Sequence, residues 1–372
     1  MIDKIFKKLI YSLSGLSKRD DKKWVFASHN PFSDNSRYLF EDNYNPHNIR
    51  KIWIARNAKE CDYVTSLGYE CYIKGSYKAI MHSLTAKCFI YTCYISDIGF
   101  QYSKNAIAIN LWHGIPLKKI EFDITSGPLT RKFNGSNKSR LKHPEIYRPV
   151  DYVLCPSEFV YNYSYKTAFK ITHKQLLKFP YPRNIYLKSL TLPKNQYYTF
   201  LYAPTWRDNK VDFINSKHLD LDKINQFCKE HNCLFKIKLH PNTKHSVDTT
   251  QYHHITFVDA SKETNFYLAE ADCLITDYSS IFFDYLVLNR PILFYVFDEE
   301  IYKSQNREIY SEVEDIDVGE KIYHLESLLN IMSSKLKGND TLSVQRKNVI
   351  QLFNLDFDDK DNQHLIDTIN NL

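Results

Sequence analysis

Short apolar runs of strand character alternate with helical stretches along this chain, and they do so in two successive series. From Trp24 the runs are WVFAS, KIWIA, YECYI, KCFIY and AIAINLW, with helical stretches between them, one an amphipathic helix starting after Ser33. The series restarts after Pro180-Tyr181-Pro182-Arg183 with TFLYA, CLFKIKL, HITFV, CLIT and PILFYV. Helices are expected near Leu221 to His231, near Thr264 to Ala271 and from Ser280. Short apolar strands separated by helices are covered on both faces and build parallel sheets, because each crossover lays a helix on the sheet. The spacing therefore predicts an α/β chain of two doubly wound domains with a cleft between them. Its 372 residues suit two domains at about 150 residues each.

The break near residue 185 divides a domain over 24–185 from one over 186–372 and leaves a basic segment over 1–23. Helices near Ile322 to Met332 and Asp361 to Leu372 finish the chain, and one of them can cross back to the first domain. Hydrophobic residues at 43% and charged residues at 25% exclude disordered, collagen-like and mucin-like classes. Glycine narrows the choice further, since there are nine and none lies between Ser139 and Val318. No two are spaced as in a P-loop or a glycine-rich dinucleotide turn, which weakens dehydrogenase, P-loop ATPase and kinase readings. A phosphate bound here must be held another way.

Cys61, Cys71, Cys88, Cys93, Cys155, Cys228, Cys233 and Cys273 include no C-x-x-C pair, and several sit in apolar runs. Buried free thiols in a reducing compartment account for them better than disulfides or zinc. No apolar run approaches the roughly 18–20 residues of a membrane span, and the amino terminus has no uninterrupted apolar core of a signal peptide. A cytosolic location is expected.

The net charge of +6 is unevenly placed. Within residues 1–23, Lys4, Lys7, Lys8, Lys18, Arg19, Lys22 and Lys23 face Asp3, Asp20 and Asp21, and Ile2, Ile5, Phe6, Leu9, Ile10, Leu13 and Leu16 recur at helical spacing. Such a helix either lies on an anionic bilayer or packs on the protein's own core. A second basic stretch, Lys118 to Lys142, reads as a long loop that is either solvated or suited to a polyanionic ligand. No recognisable nucleic-acid module accompanies it, so nucleic acid is not an expected partner.

In open α/β sheets ligands gather at the carboxyl ends of the strands. That rule selects His113, which ends AIAINLW and precedes Gly114, and His240, which ends FKIKL and precedes Pro241. A histidine is ordinarily structural, and placement at this strand end is what favours a functional role. Lys236, Lys238 and His240 share one face of their strand, as for a strand lining a cleft. After CLIT, Asp277, Tyr278, Ser279 and Ser280 open a helix; they are either simple caps or a phosphate site built from free N–H groups and serine hydroxyls. Arg207 ends YAPTWR, where a guanidinium can clamp phosphate oxygens.

Together LWHGIPLKK, YAPTWRD, KLHP and ITDYSSIFFDYLVLNRPILFY resemble, in the same order, the signature segments of the CDP-glycerol glycerophosphotransferase family, which builds teichoic acids and related capsule polymers. FSDNSRYLF and YPRN are similar to weaker family segments, and the resemblance spans about residues 24–310. Ile115 stands where members commonly have threonine. The resemblance implies a GT-B-like architecture of two facing Rossmann-like domains, the first holding the acceptor and the second the CDP-linked donor.

It also implies the roles. An acceptor hydroxyl attacks the β-phosphorus of a CDP-polyol and CMP leaves, with His113 as base and His240 stabilising the diphosphate. Arg207, Lys238, Thr276, Asp277, Ser279 and Ser280 fall on the donor side, and Gly114, Lys118 and Lys119 on the acceptor side. The donor is CDP-glycerol or CDP-ribitol, the acceptor a polymer or a lipid-linked molecule, and the place of work the inner face of the cell membrane. Asp-x-Asp triplets at Asp220/Asp222, Asp315/Asp317 and Asp356/Asp358 adjoin none of these motifs, so no metal ligand is assigned and no obligatory cofactor is expected. Competing readings are a nucleotide-sugar glycosyltransferase of the same architecture and a catalytically silent polymer-binding protein.

Overall fold

A computed structural model describes residues 2–192, 196–205, 214, 218–239, 243, 247–259, 263–305, 308–358 and 360–372. Among them the first series of apolar runs forms β1 (Asp20–Ala27), β2 (Arg50–Ala55), β3 (Cys71–Ile73), β4 (Ala86–Tyr91), β5 (Ile107–Asn110), β6 (Tyr152–Leu154) and β7 (Leu176–Leu177). They pair in the order β3-β2-β1-β4-β5-β6-β7, every pair parallel. The second series forms β8 (Tyr198–Tyr202), β9 (Cys233–Ile237), β10 (Ile255–Phe257), β11 (Cys273–Thr276), β12 (Ile292–Tyr295) and β13 (Glu320–Ile322). Their order is β10-β9-β8-β11-β12-β13, again parallel throughout.

Each sheet reverses its winding once, between β1 and β4 in the first and between β8 and β11 in the second. At such a switch point the loops leaving the two strands diverge and open a crevice at the carboxyl edge. The strands are held by large side chains with no exposure, Trp24, Phe26, Trp53 and Phe89 in one sheet and Phe200, Tyr202, Phe235 and Tyr295 in the other. Each contributes about 1.5–3 kcal/mol of apolar burial.

The chain divides into two compact units, residues 1–114 with 119–186 and 357–372, and residues 187–356 with 115–118. This differs from a single cut at 185 in two places. The carboxy-terminal helix Asp361–Asn370 belongs to the first unit, where His47 Nε2 lies 2.7 Å from Asp367 Oδ1 and the Tyr44 hydroxyl donates to Oδ2 at 3.0 Å. Residues 115–118 belong to the second, through an antiparallel bridge from Lys118 to Ile309 and a Tyr310 N–H bond to Leu117 O at 3.0 Å.

The amino-terminal segment 1–23 is likewise part of the first unit. β1 already begins at Asp20, and Lys23 is buried with its ammonium donating to Thr85 Oγ1 at 2.9 Å. The helix Ile2–Ser14 has two apolar faces. Tyr11 stacks on Phe100 with centroids 4.7 Å apart, whereas Phe6, Leu9, Leu13 and the following Leu16 are 55–85% exposed. The basic stretch after Lys118 is not a bare loop, because the short helices Thr130–Phe133, Asn137–Lys142 and Pro144–Tyr147 fold over Phe122, which packs edge-on against Phe133 and Tyr147.

Candidate active site

His113 stands three residues beyond the end of β5, in a turn the sequence alone does not stabilise. Trp112 has a left-handed φ of 51°, which a bulky residue adopts only when its surroundings fix it. The fixing groups are visible. Asn110 Oδ1 accepts from the Trp112 N–H at 2.9 Å, and the fully buried Asn35 donates its amide to Leu111 O at 3.3 Å and Trp112 O at 2.9 Å. The indole of Trp112 stacks on the His113 ring at 4.2 Å and meets Phe169 edge-on at 4.9 Å.

Gly114 follows at φ 122°, and a Cβ there would lie 2.2 Å from Arg183 Nη2. Arg183 Nη1 donates to Asp34 Oδ1 at 3.0 Å, and its backbone N–H donates to Asn35 Oδ1 at 3.2 Å. The Tyr165 hydroxyl reaches Gly114 O at 3.4 Å and lies 2.5 Å from that of Tyr181. FSDNSRYLF and YPRN thus converge on the histidine turn. Asp34, Asn35 and Arg183 are candidate site residues that strand-end placement alone does not select.

The His113 ring reaches solvent, yet dense surrounding protein lowers its pKa to about 4, opposed by the Asp34 carboxylate and reinforced by Arg183 and His29. At neutral pH the imidazole is uncharged and able to accept a proton.

The second unit carries the donor-side candidates. Thr276 ends β11 fully buried, and its hydroxyl donates to Ala203 O at 2.7 Å. Asp277 is buried as well and accepts from the Thr205 N–H at 2.8 Å. Both side chains tie the end of β11 to the end of β8 across the switch point. Ser279 is partly exposed and Ser280 exposed; Ser279 Oγ accepts from the Ile281 N–H at 3.3 Å. The helix they open runs only over Ile281–Tyr285, so its dipole is small.

Lys238 is buried beyond β9 with its ammonium 5.7 Å from the Tyr267 ring centre; burial lowers its pKa, and Asp259 opposes this. Lys236, expected to share its face, is paired with Glu270 at 2.7 Å. His240 and Arg207 lie outside the described residues. Lys118 sits with the second unit, its ammonium 5.0 Å from the ring centre of Tyr302 and bonded to that hydroxyl, and Tyr302 stacks on Tyr278 at 3.8 Å. Lys119 is half-buried in the first.

The chain is 29% identical over 337 residues to a teichoic acid poly(glycerol phosphate) polymerase of Bacillus spizizenii, covering 82% of each. It is 36% identical over 238 residues to a teichoic acid glycerol-phosphate primase of Bacillus subtilis, covering 61% of this chain and 59% of the other. A solved structure of the wall teichoic acid polymerase TagF shares the fold, with a TM-score of 0.78 over 100% of this chain and 98% of that one at 21% identity, so the two α/β units are GT-B-like. The family model for CDP-glycerol:poly(glycerophosphate) glycerophosphotransferases matches residues 9–371, and this chain belongs to that family.

Proposed function

We propose that this transferase uses CDP-glycerol as donor and passes its glycerol phosphate to a hydroxyl of a polymer or lipid-linked acceptor. The first unit serves the acceptor and the second the donor. The observation that carries the reading is the His113 turn: a solvent-reaching, uncharged imidazole at a strand end, fixed by Asn35, Asp34 and Arg183 from the family's other segments.

In this reading His113 takes the proton of the acceptor hydroxyl as the oxygen attacks the β-phosphorus. The new P–O bond makes the phosphodiester, the β-phosphorus-to-bridging-oxygen bond breaks, and CMP leaves with both electrons of that bond. Ser279 and Ser280, with the N–H groups at the start of their helix, hold diphosphate oxygens, and Lys238, with His240 and Arg207, balances the charge building on CMP. A positioned general base contributes about a hundredfold to ten-thousandfold in rate. The exposed Phe6, Leu9, Leu13 and Leu16, flanked by Lys7, Lys8 and Lys18, suit an anionic bilayer and support a place of work on the inner membrane face.

The test is CMP release from purified protein given CDP-glycerol or CDP-ribitol with a glycerol-phosphate acceptor, beside His113→Ala. CMP from CDP-glycerol, lost in the variant, is the expected result. CMP from CDP-ribitol alone renames the donor. A nucleoside diphosphate released from a nucleotide sugar, or full activity without His113, overturns the mechanism.

A further inference from the structure

Because every strand of the first sheet is parallel, the residues that follow them gather along one edge. Lys74 directly follows β3, Arg56 directly follows β2, His29 lies two residues beyond β1, and His113 lies three beyond β5. In sheet order these form a row, Lys74, Arg56, His29, then His113, crossing the switch point between β1 and β4. From β3 to β5 is four strand spacings, about 19 Å at about 4.8 Å each.

Bonds within the first unit bind the row together. Arg56 donates a guanidinium N–H to His29 O, the His29 N–H reaches Thr92 Oγ1 beyond β4 at 3.3 Å, and Lys74 Nζ donates to Ser96 O at 2.5 Å. His29 Nδ1 is 3.9 Å from Asp97 Oδ1, and Tyr94 stands edge-on to the His29 ring. Burial lowers the Lys74 pKa, Asp97 opposes this, and Lys7 of the amino-terminal helix, within electrostatic reach, lowers it further together with Arg56. Three carboxylates face this set. Glu60 is buried, accepting from the Phe32 and Arg56 N–H groups and the Trp53 indole, Asp97 is shared among His29, Lys74 and Arg56, and Asp34 faces His113 while paired with Arg183. Lys74 and Arg56, both exposed, share the single carboxylate of Asp97, and gathering like charges in this way costs stability unless an anion joins them.

We propose that this edge is the acceptor track: Lys74 and Arg56 hold successive phosphodiesters of a glycerol-phosphate chain, and His29 guides its terminal hydroxyl to His113. The proposal rests on the phosphotransferase reading and deepens it. The row is long enough for more than one repeat, which suits a chain-lengthening enzyme. Its far end adjoins the helix that bears the exposed apolar face, so a lipid-linked chain runs from the bilayer past Lys7 and Lys74 to the histidine.

The test is direct binding of a synthetic oligo(glycerol phosphate) to the full-length protein, measured calorimetrically without donor. Wild type is expected to bind with an affinity that falls as salt rises, since each phosphate contact displaces counterions. Arg56→Ala with Lys74→Ala should weaken binding by roughly tenfold or more for each charge-assisted bond lost, and Arg56→Lys with Lys74→Arg should keep most of it. Both residues are exposed, and thermal unfolding of each double variant checks that losing the bonds to His29 O and Ser96 O leaves the fold in place. Phosphatidylglycerol vesicles should bind wild type and the double alanine variant alike. Equal oligomer binding by wild type and the alanine variant, or none by wild type, overturns the track, and so does loss of vesicle binding alone, which assigns the cations to the bilayer. CMP release by wild type is read separately, so failure of the track and failure of the phosphotransferase reading remain distinct.

Discussion

Arg183 occupies the space that any side chain on residue 114 would need: its Nη2 atom lies 2.2 Å from where a Cβ on Gly114 would stand. Glycine is required there twice over, by this approach and by the φ of 122°. The absence of a side chain lets the guanidinium lie against the histidine turn while it holds Asp34.

Gly114→Ala is therefore expected to lower stability by about 1–3 kcal/mol and to slow CMP release by roughly tenfold or more, since the turn that carries His113 must move. Adding Arg183→Ala removes the clash but not the backbone strain, and it frees Asp34. The double variant should regain part of the melting temperature and none of the rate. Recovery of both would mean that Arg183 only fills space.

Asp34 acts on His113 through charge. Its carboxylate favours the imidazolium, while burial, Arg183 and His29 oppose it, and the balance lies below the ordinary histidine value. The acid limb of kcat/KM, which reports the free enzyme, should accordingly fall below pH 6.5 in wild type. In Asp34→Asn the stabilising charge is gone and Arg183 is uncompensated, so the imidazole becomes a weaker base. The limb is expected at still lower pH, with a plateau reduced by roughly tenfold. A limb displaced upward, or an unchanged profile, would refute the assignment.

The apolar strands and their parallel order are legible because a run such as KCFIY or CLIT has no polar face to leave in water, so burial on both sides is forced. β6, β7 and β13 are not among the runs read from the sequence: they are two or three residues long, and of the equally short strands only β3 and β10 stand inside longer runs that the alternation picks out. His113 can be picked out by its position at a strand end. Asp34, Asn35 and Arg183 depend on a contact nearly 150 residues apart in the chain, which local pattern does not encode. Thr276 and Asp277 show the converse: they stand in a motif, but their polar atoms bond Ala203 O and the Thr205 N–H, a use that becomes visible only when β8 and β11 are neighbours. The lysine face of β9 divides for a similar reason, with Lys236 drawn to Glu270.

The amino-terminal helix lets its two expected uses be separated, because they fall on different faces. Tyr11 stacks on Phe100 at 4.7 Å, so Tyr11→Ala should reduce the melting temperature while leaving affinity for phosphatidylglycerol vesicles nearly intact. Leu9 and Leu13 are 56% and 55% exposed, so Leu9→Glu with Leu13→Glu should leave the melting temperature unchanged. Full burial of a leucine contributes about 1.5–3 kcal/mol, and each glutamate adds repulsion from an anionic surface, so vesicle affinity should fall roughly a hundredfold or more. Co-sedimentation with vesicles and thermal unfolding measure the two effects side by side. A helix that only stabilises the fold would give the opposite pattern, with both leucine substitutions silent toward vesicles.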